Sequence, residues 1–250
     1  MEKLLGLPPI AAEGGPGVDK LIIYVHWLMI ALFAGWLCYF AFTLFRFRAS
    51  RNARGDYDGV KNHASSYLEV TVAGVEVLLL IFVALPLWRT HAGEFPKKTE
   101  ATVIYVVAQQ FAWNFRYADK DGDLGRQDMK FVTSDNLFGI DPADTAHKSG
   151  VQTLNEIHVP VNKPVIAYIS SKDVIHSFRV IAMRVTQDAI PGMRIPIHFT
   201  PTKEGRYQIN CAQLCGNGHA SMAQGYLVVE SQAAFDKWMA SKVGAATSFE

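Results

Sequence analysis

The chain has 250 residues, half of them hydrophobic, and its 24 Lys and Arg nearly balance its 23 Asp and Glu, giving a formal net charge of +1. This balance provides no basic surface of the kind that nucleic acid binding requires, and no nucleic-acid partner is predicted. A chain of this length divides most naturally into a membrane hairpin and one globular domain.

The apolar residues are concentrated near the amino end, in two runs that predict transmembrane helices at about 21–45 and 67–88. The first run contains His26 but no Asp, Glu, Lys or Arg, and the second is interrupted only by Glu69 and Glu76. A helix rises about 1.5 Å per residue, so each run exceeds the ~30 Å hydrocarbon core of a bilayer.

The distribution of positive charge predicts how this hairpin is oriented. The loop between the helices is rich in Lys and Arg, which the positive-inside rule places in the cytoplasm. Its cations are Arg46, Arg48, Arg51, Arg54 and Lys61. Residues 1–20 contain no compact apolar stretch and do not predict a cleavable signal peptide. We therefore expect an extracytoplasmic segment at 1–20, a hairpin over 21–88 with a cytoplasmic loop, and a periplasmic domain over 89–230, in a bacterial inner membrane.

After the second helix the pattern changes to short runs rich in β-branched residues, separated by Gly and Pro turns. The predicted strands are Thr102–Phe115, Glu156–Val161, Pro164–Ser170, Ser177–Ile181, Ile195–Thr200, Arg206–Cys211 and Gly225–Glu230. Many short strands are typical of a β-sandwich or barrel. A final helix is predicted from Ser231, with a tail to residue 250. The fold class is thus a two-helix transmembrane hairpin followed by an all-β domain.

An acidic stretch, from Ala118 to Ala146, follows the first predicted strand. Its seven Asp residues are Asp119, Asp121, Asp123, Asp128, Asp135, Asp141 and Asp144. Such a stretch can steer a basic electron donor toward the domain, and the alternative is a solvated loop without a partner.

Several potential metal ligands lie at tight spacing near the carboxyl end: Cys211, Cys215, His219 and Met222, with His176 upstream. Two thiolates, two imidazoles and a thioether form a soft donor set that favours copper or iron–sulfur chemistry over magnesium or calcium. A mononuclear blue-copper site needs one Cys, two His and a weak axial Met, so this set has one thiolate in excess. Because a thiolate sulfur can bridge, two Cys can hold two copper ions side by side.

Two simpler interpretations of the cysteines stay open. An extracytoplasmic compartment oxidises cysteine pairs, so Cys211 and Cys215 can form a disulfide, although a disulfide needs neither His219 nor Met222. Cys2His2 sets also form structural zinc sites, although the spacing and the thioether fit zinc poorly. Five further histidines are not predicted to bind metal. They are His63, His91, His147, His158 and His198.

Together these features resemble subunit II of the haem–copper terminal oxidases, the cytochrome c oxidase family with a binuclear CuA centre. The resemblance covers nearly the whole chain. It rests on the two apolar runs, the aromatic segment 109–117, the segments Asp173–Phe178 and Asp188–Gly192, and the cysteine loop. It implies a cupredoxin-like Greek-key domain. It also implies that copper is bound by the side chains of His176, Cys211, Cys215, His219 and Met222 and by the carbonyl of Gln213.

The resemblance further implies roles in electron and proton transfer. It places Trp113 near the metal, and Phe111 where the family's usual electron-accepting tryptophan stands. Glu69 matches the family glutamate at the mouth of a proton-uptake channel into subunit I. Glu76 stands where many relatives have proline, so the resemblance gives it no role; because an ionisable group inside a membrane is costly, it is expected to make a polar contact with subunit I. Gln213 stands where many relatives have a glutamate that also reaches magnesium, so no magnesium site is predicted.

The implied function is that of a redox relay. Such a subunit accepts electrons from a cytochrome c, soluble or membrane-attached, and passes them to haem in subunit I, where oxygen is reduced to water and protons are translocated. The oxygen-reducing site then lies in another subunit, and no catalytic residue is predicted in this chain. The implied partners are subunit I, other membrane subunits and lipid. Two alternatives stay open: the CuA subunit of a nitric oxide reductase, and a membrane-anchored copper carrier.

Overall fold

The chain folds as two units. The computed structural model describes residues 2–52, 54–55, 57–58, 61–119, 122–144 and 150–246. His147 and the last four residues of the predicted tail lie outside these ranges. The first unit comprises Met1–Leu7 and Gly17–Trp88, and the second comprises Pro8–Pro16 and Arg89–Glu250.

Two long apolar helices dominate the amino-terminal part. After a short α1 (Glu2–Leu5), α2 spans Gly15–Arg46, and the second long helix runs from Ala64 to Ala92. At about 1.5 Å per residue, their 32 and 29 residues are each long enough to cross a bilayer. In the most apolar 18-residue stretch of each helix, no residue is buried by the rest of the chain. Segments that are covered by lipid or by other subunits are exposed in this way.

The second long helix is not regular throughout. It consists of α3 (Ala64–Leu79), a π turn (Leu80–Ala84) and α4 (Leu85–Ala92). The π turn ends two residues before Pro86, which has no N–H to donate and whose ring crowds the carbonyl four residues earlier, within that turn. A turn widened by one residue accommodates this local break in the hydrogen-bond ladder.

The second unit contains a sandwich of two five-stranded sheets. One sheet has the order β3-β2-β1-β5-β8 and the other β4-β10-β9-β6-β7. The strands are β1 (Thr102–Gln109), β2 (Ala112–Tyr117), β3 (Gln152–Leu154), β4 (Glu156–Pro160), β5 (Val165–Ser171), β6 (His176–Val180), β7 (Val185–Ala189), β8 (Ile195–Phe199), β9 (Gly205–Cys211) and β10 (Gly225–Glu230). This architecture, after two apolar helices, confirms the predicted fold class.

The first predicted strand is in fact a hairpin. The run that the sequence presents as one strand is divided into β1 and β2, which pair antiparallel with Gln109 opposite Ala112. The turn at Gln110 and Phe111 contains neither Gly nor Pro, so the sequence gives no turn signal there. Strands β3 and β7 were also not predicted, because β3 has only three residues and β7 is rich in polar side chains.

Two apolar clusters stabilise the sandwich. The main core lies between the sheets and includes the fully buried Trp113, Phe115 and Phe178. A second cluster lies on the opposite face of β1, where Leu124 and Phe138 contribute to it. These two residues belong to the acidic stretch, so its described part is a folded cover over the sheet.

The amino-terminal segment Pro8–Pro16 is part of the second unit. The N–H of Ala11 donates to the carbonyl of Ala182 (2.8 Å), and the N–H of Thr202 donates to the carbonyl of Ala11 (2.7 Å). Ala11 and Ala12 are buried. The two ends of the helical hairpin therefore both continue into segments of the same β domain.

The chain closes with α5 (Gln232–Ala246), whose first turn is capped by Ser231 through its hydroxyl and carbonyl. Trp238 of this helix stacks on His158 at a centroid distance of 4.0 Å. The two ring nitrogens of His158 face Glu230 (2.8 Å) and Glu156 (3.2 Å). His158 is thus engaged by carboxylates and an indole.

Candidate metal centre

The metal centre is built where β6 and β9 meet. Phe178 on β6 pairs with Cys211 at the end of β9, and the N–H of Ala212 donates to the carbonyl of Ser177 (2.9 Å). This pairing places His176, the first residue of β6, beside the loop that follows β9. The loop contains Cys215 and ends in a 3-10 helix, His219–Gln224, that leads directly into β10.

Four soft donor atoms lie close together at this end of the sandwich. The Sδ of Met222 is 3.1 Å from the Nδ1 of His176 and 3.4 Å from the Sγ of Cys215. The Sγ atoms of Cys211 and Cys215 are 3.8 Å apart, and that of Cys211 is 4.0 Å from the Nδ1 of His176. His176 and Met222 are fully buried. A soft metal ion is therefore within reach of an imidazole, two thiols and a thioether.

The remaining two predicted ligands each lie near one of the thiols. The Nδ1 of His219 lies 3.4 Å from the Sγ of Cys215, and the carbonyl of Gln213 accepts a hydrogen bond from the thiol of Cys211 (3.0 Å). The structure thus brings all six predicted ligand positions into one cluster, with one histidine and one weak donor near each thiol.

The geometry of the two thiols fits shared metal better than a disulfide. A disulfide requires an S–S distance of about 2.05 Å, whereas Cys211 and Cys215 are free thiols 3.8 Å apart. A thiolate binds a borderline or soft metal at about 2.3 Å. These sulfurs, with the imidazole of His176 beside them, could hold copper, and the donor set fits a copper site.

Copper binding is expected to release protons and to tighten as the pH rises. Burial, together with the neighbouring Cys211, raises the pKa of the Cys215 thiol to about 11. The thiol is therefore protonated in the metal-free chain near neutral pH, and the metal must displace that proton. Below the thiol pKa, the apparent affinity should rise about tenfold per pH unit for each proton released. Titration calorimetry in buffers of different ionisation enthalpy measures this release, and a heat independent of the buffer would contradict it.

Asp173 orients the buried histidine. Its Oδ1 lies 2.9 Å from the Nε2 of His176, and its carboxylate also accepts the backbone N–H groups of Gln110 (2.8 Å) and Val174 (2.7 Å). Partial burial opposes ionisation, but these hydrogen bonds and His176 outweigh it and lower the pKa of Asp173. A carboxylate on one ring nitrogen fixes the tautomer and leaves Nδ1 for the metal. Asp173 was not among the predicted site residues. An acid three residues before a proposed ligand histidine is nevertheless a sequence signal for such a supporting carboxylate.

Replacing Asp173 by Asn is expected to weaken copper binding about 10–100-fold, the usual loss when the partner of a metal-bound His is changed. The amide cannot provide the same charged acceptor for the His176 ring. Asp128, an exposed carboxylate that pairs with Lys130, provides the matched control, and Asp128→Asn should leave copper affinity unchanged. Competition with a copper chelator measures both variants; equal affinities would show that Asp173 does not support the site.

Aromatic side chains cover the inner side of the centre. The indole N–H of Trp113 donates to the carbonyl of Met222 (2.9 Å), and its ring lies edge-on to Phe178 (5.5 Å) and to His176 (6.4 Å). Trp113 and Phe178 are buried, so they exclude water from this side of the centre. Trp113 therefore holds a ligand-bearing turn and also lines the site.

The turn between β1 and β2 supports the cysteine loop from outside. The half-buried ring of Phe111 lies so close to Gly218 that a Cβ at that position would overlap it, and it also approaches Gly216. The Nε2 of Gln110 donates to the carbonyl of Cys215 (2.7 Å). Gln110 is a second supporting residue that the sequence analysis missed, because nothing local marks it.

The two membrane carboxylates belong to the first unit. Glu69 and Glu76 are both exposed on α3, seven residues and thus about two turns apart on one face. Glu76 lines an apolar groove with residues of α2, among them Leu28 and Met29. Their roles in proton uptake and in contact with subunit I stay predictions.

A two-sheet sandwich with a soft cluster of Cys, His and Met at one end defines a metal-binding domain of the cupredoxin type, here preceded by two helices able to span a membrane. The family model described as "Cytochrome C oxidase subunit II, periplasmic domain" matches residues 102–231. The chain belongs to the cytochrome c oxidase subunit II family and is therefore a subunit of a haem–copper oxidase. The family implies copper, and the two helices fit an inner-membrane subunit.

Two sequence relatives and one solved structure illustrate what this chain is similar to. The "Alternative cytochrome c oxidase subunit 2" of Bradyrhizobium diazoefficiens is 28% identical over 92% of this chain and 82% of its own length. A "Probable cytochrome c oxidase subunit 2" of Rickettsia conorii is 30% identical over 89% of this chain and 66% of its own length. Among solved structures, the periplasmic domain of subunit II (CoxB) of Bradyrhizobium japonicum matches 56% of this chain and 92% of its own, at 28% identity and a TM-score of 0.41.

Proposed function

We propose that this chain is the subunit through which electrons reach a respiratory terminal oxidase, and that it holds a binuclear CuA centre. The side-chain ligands are His176, Cys211, Cys215, His219 and Met222, and the carbonyl of Gln213 is the sixth contact. The observation that supports this most strongly is the pair of free thiols 3.8 Å apart, with an imidazole beside each.

A copper centre held by these residues would supply a one-electron carrier. The chain contributes the rigidity that such a carrier needs. His176 and Cys211 are anchored on paired strands, and the backbone of the loop is held by Trp113 and Gln110. Buried Phe178 and Trp113 keep water from the inner side, which limits the reorganisation of solvent when charge moves.

The donor is a cytochrome c, soluble or membrane-attached, and the acceptor is haem in subunit I. Phe111, which is half-buried and packs against the cysteine loop, marks the surface by which electrons arrive. Trp113 lies on the inner side, against His176. Reduction of oxygen to water and translocation of protons take place in subunit I, so this chain relays electrons and contains no catalytic residue of its own.

We further propose that the chain is a multi-pass protein of a bacterial inner membrane. The amino-terminal segment Pro8–Pro16 and the segment that begins at Arg89 both belong to the second unit. The cations of the loop between the helices favour a cytoplasmic location for that loop. The β domain, from about residue 89 to 230, then faces the periplasm.

Glu69→Gln is expected to slow oxygen turnover about tenfold while leaving copper content and reduction of the copper centre unchanged. A carboxyl near the cytoplasmic end of a membrane helix is a candidate for proton uptake, and an amide cannot exchange a proton. Glu100→Gln is the matched control, because Glu100 is exposed and pairs only with Lys97 among the described residues. If Glu69→Gln consumed oxygen as fast as Glu100→Gln, Glu69 would have no role in proton uptake.

The proposed function is tested on the intact complex, purified through a tag on this chain. We expect haem-containing subunit I to co-purify, cytochrome c to drive oxygen consumption, and stopped-flow spectra to show the copper centre reduced before the haem. A complex that reduces nitric oxide but not oxygen, or a chain that purifies without a haem subunit, would contradict the proposal.

A further inference from the structure

The proposed copper ligands come from two segments of the chain, the start of β6 and the cysteine loop. These segments pair where Cys211 ends β9, but Cys215 lies four residues further along, in a part of the loop that belongs to no strand. The carbonyl of Cys215 accepts a hydrogen bond from the Nε2 of Gln110 (2.7 Å), and it has no other donor among the described residues. Gln110 therefore supplies the hydrogen bond that fixes the backbone of this thiol ligand.

The backbone of Gln110 contacts the other segment. Its N–H donates to the Oδ2 of Asp173 (2.8 Å), and the Oδ1 of the same carboxylate lies 2.9 Å from the Nε2 of His176. The side chain and the backbone of one residue thus connect a thiol ligand with an imidazole ligand. This connection crosses between segments that are about 40 residues apart in the sequence, so no local pattern predicts it.

Two glycines of the cysteine loop make room for the turn that contains Gln110. A Cβ on Gly216 would lie only 2.8 Å from the Nε2 of Gln110, and a Cβ on Gly218 would overlap the ring of Phe111. Because glycine has no Cβ, the turn can approach the backbone of the loop this closely. The turn at Gln110 and Phe111 therefore packs directly on the loop, and a change in the position of one displaces the other.

We propose that Gln110 is a positioning residue of the electron relay, which holds the thiolate of Cys215 and the imidazole of His176 at a fixed separation and so sets the reduction potential of the copper that they bind. The inference rests on the proposed function, because it concerns the same centre. Hydrogen bonds around a metal site tune its potential. A donor that points at the peptide of Cys215 favours the reduced centre, which has one positive charge fewer. Loss of this donor should therefore lower the potential.

Gln110→Met tests this role, because methionine is similar in length but has no donor, and the backbone N–H to Asp173 is kept. Gln109→Met is the matched control, since Gln109 is the half-buried last residue of β1 and its side chain makes no hydrogen bond among the described residues. Potentiometric titration of the intact, copper-loaded complex, followed by copper absorption, measures the potential. We expect Gln110→Met to lower the equilibrium constant for reduction about fivefold, the usual effect of one net hydrogen bond. Gln109→Met should keep the wild-type value.

Gly218→Ala tests the position of the turn without removing a donor or a ligand. Its Cβ would overlap the ring of Phe111 and push the turn away from the loop, so the potential should fall in this variant too. The fall should be smaller when Phe111→Ala is also present, because the smaller side chain leaves room for the added Cβ. These two variants keep the test decisive if Gln110→Met does not assemble into the complex.

A wild-type potential in Gln110→Met, even with a lower unfolding temperature, would make Gln110 a structural residue only and would overturn the proposal. An equal fall in Gln109→Met would do the same. Failure of this inference is distinguishable from failure of the proposed function. In the first case the wild type and the variants hold copper with one common potential, and in the second the wild type holds no copper that can be reduced.

Discussion

Cys215→Ser is expected to abolish electron transfer from cytochrome c into the complex, with loss of nearly all copper bound by this chain. Cys215 contacts the thiol of Cys211, the imidazole of His219 and the thioether of Met222, so it lies at the centre of the cluster. A serine hydroxyl is a hard, weakly acidic donor that does not replace a bridging thiolate for a soft metal. Elemental analysis and stopped-flow reduction of the copper centre measure the two losses.

Cys38→Ser is the matched control for this prediction. Cys38 is an exposed free thiol on the first long helix, in the other unit, and it takes no part in the cluster. The control should retain full copper content and wild-type rates of reduction. If Cys215→Ser also retained copper at the level of Cys38→Ser, the two thiols would not be shared ligands.

Trp113→Ala is expected to produce the largest loss of stability among substitutions that leave every proposed ligand in place. Trp113 is fully buried in the main core, and its indole N–H supports the carbonyl of Met222. Removing a buried Trp side chain costs about 3–5 kcal/mol. For a domain of this size that corresponds to a fall of about 10 °C in the temperature at which the copper absorption is lost.

Trp113→Phe separates the two contributions of the indole. It keeps most of the ring but removes the hydrogen bond, which is worth about 1 kcal/mol net. The temperature at which the copper absorption is lost should therefore fall by only a few degrees. Thermal melts of the intact complex, followed by copper absorption, compare the two variants. If Trp113→Ala melted with the wild type, the contact between β2 and the ligand loop would not be important for stability.

Much of the candidate centre was predictable from the sequence, because four of its proposed ligands lie within twelve residues and their chemistry is distinctive. The spacing of Cys211, Cys215, His219 and Met222 identifies soft donors without any structure. His176 is different, since it comes close only because β6 pairs with β9. The resemblance to a known family supplied that long-range connection, which periodicity does not give.

The parts that were not predicted depend on tertiary packing. The turn at Gln110 and Phe111 has no Gly or Pro, so the sequence has no turn signal that separates β1 from β2. The near-continuous burial of β1 means that both its faces are covered, and Leu124 and Phe138 of the acidic stretch provide the outer cover. Asp173 has its role only through the orientation of a neighbouring ring.

The most direct test of the central claim is the copper content of the purified chain in its complex, measured together with its electron paramagnetic resonance spectrum. We expect two copper ions per chain in this centre, and a paramagnetic resonance signal in which one unpaired electron is shared equally by both ions. One copper per chain with a spectrum localised on a single ion, or a cysteine pair that carries no copper, would contradict it.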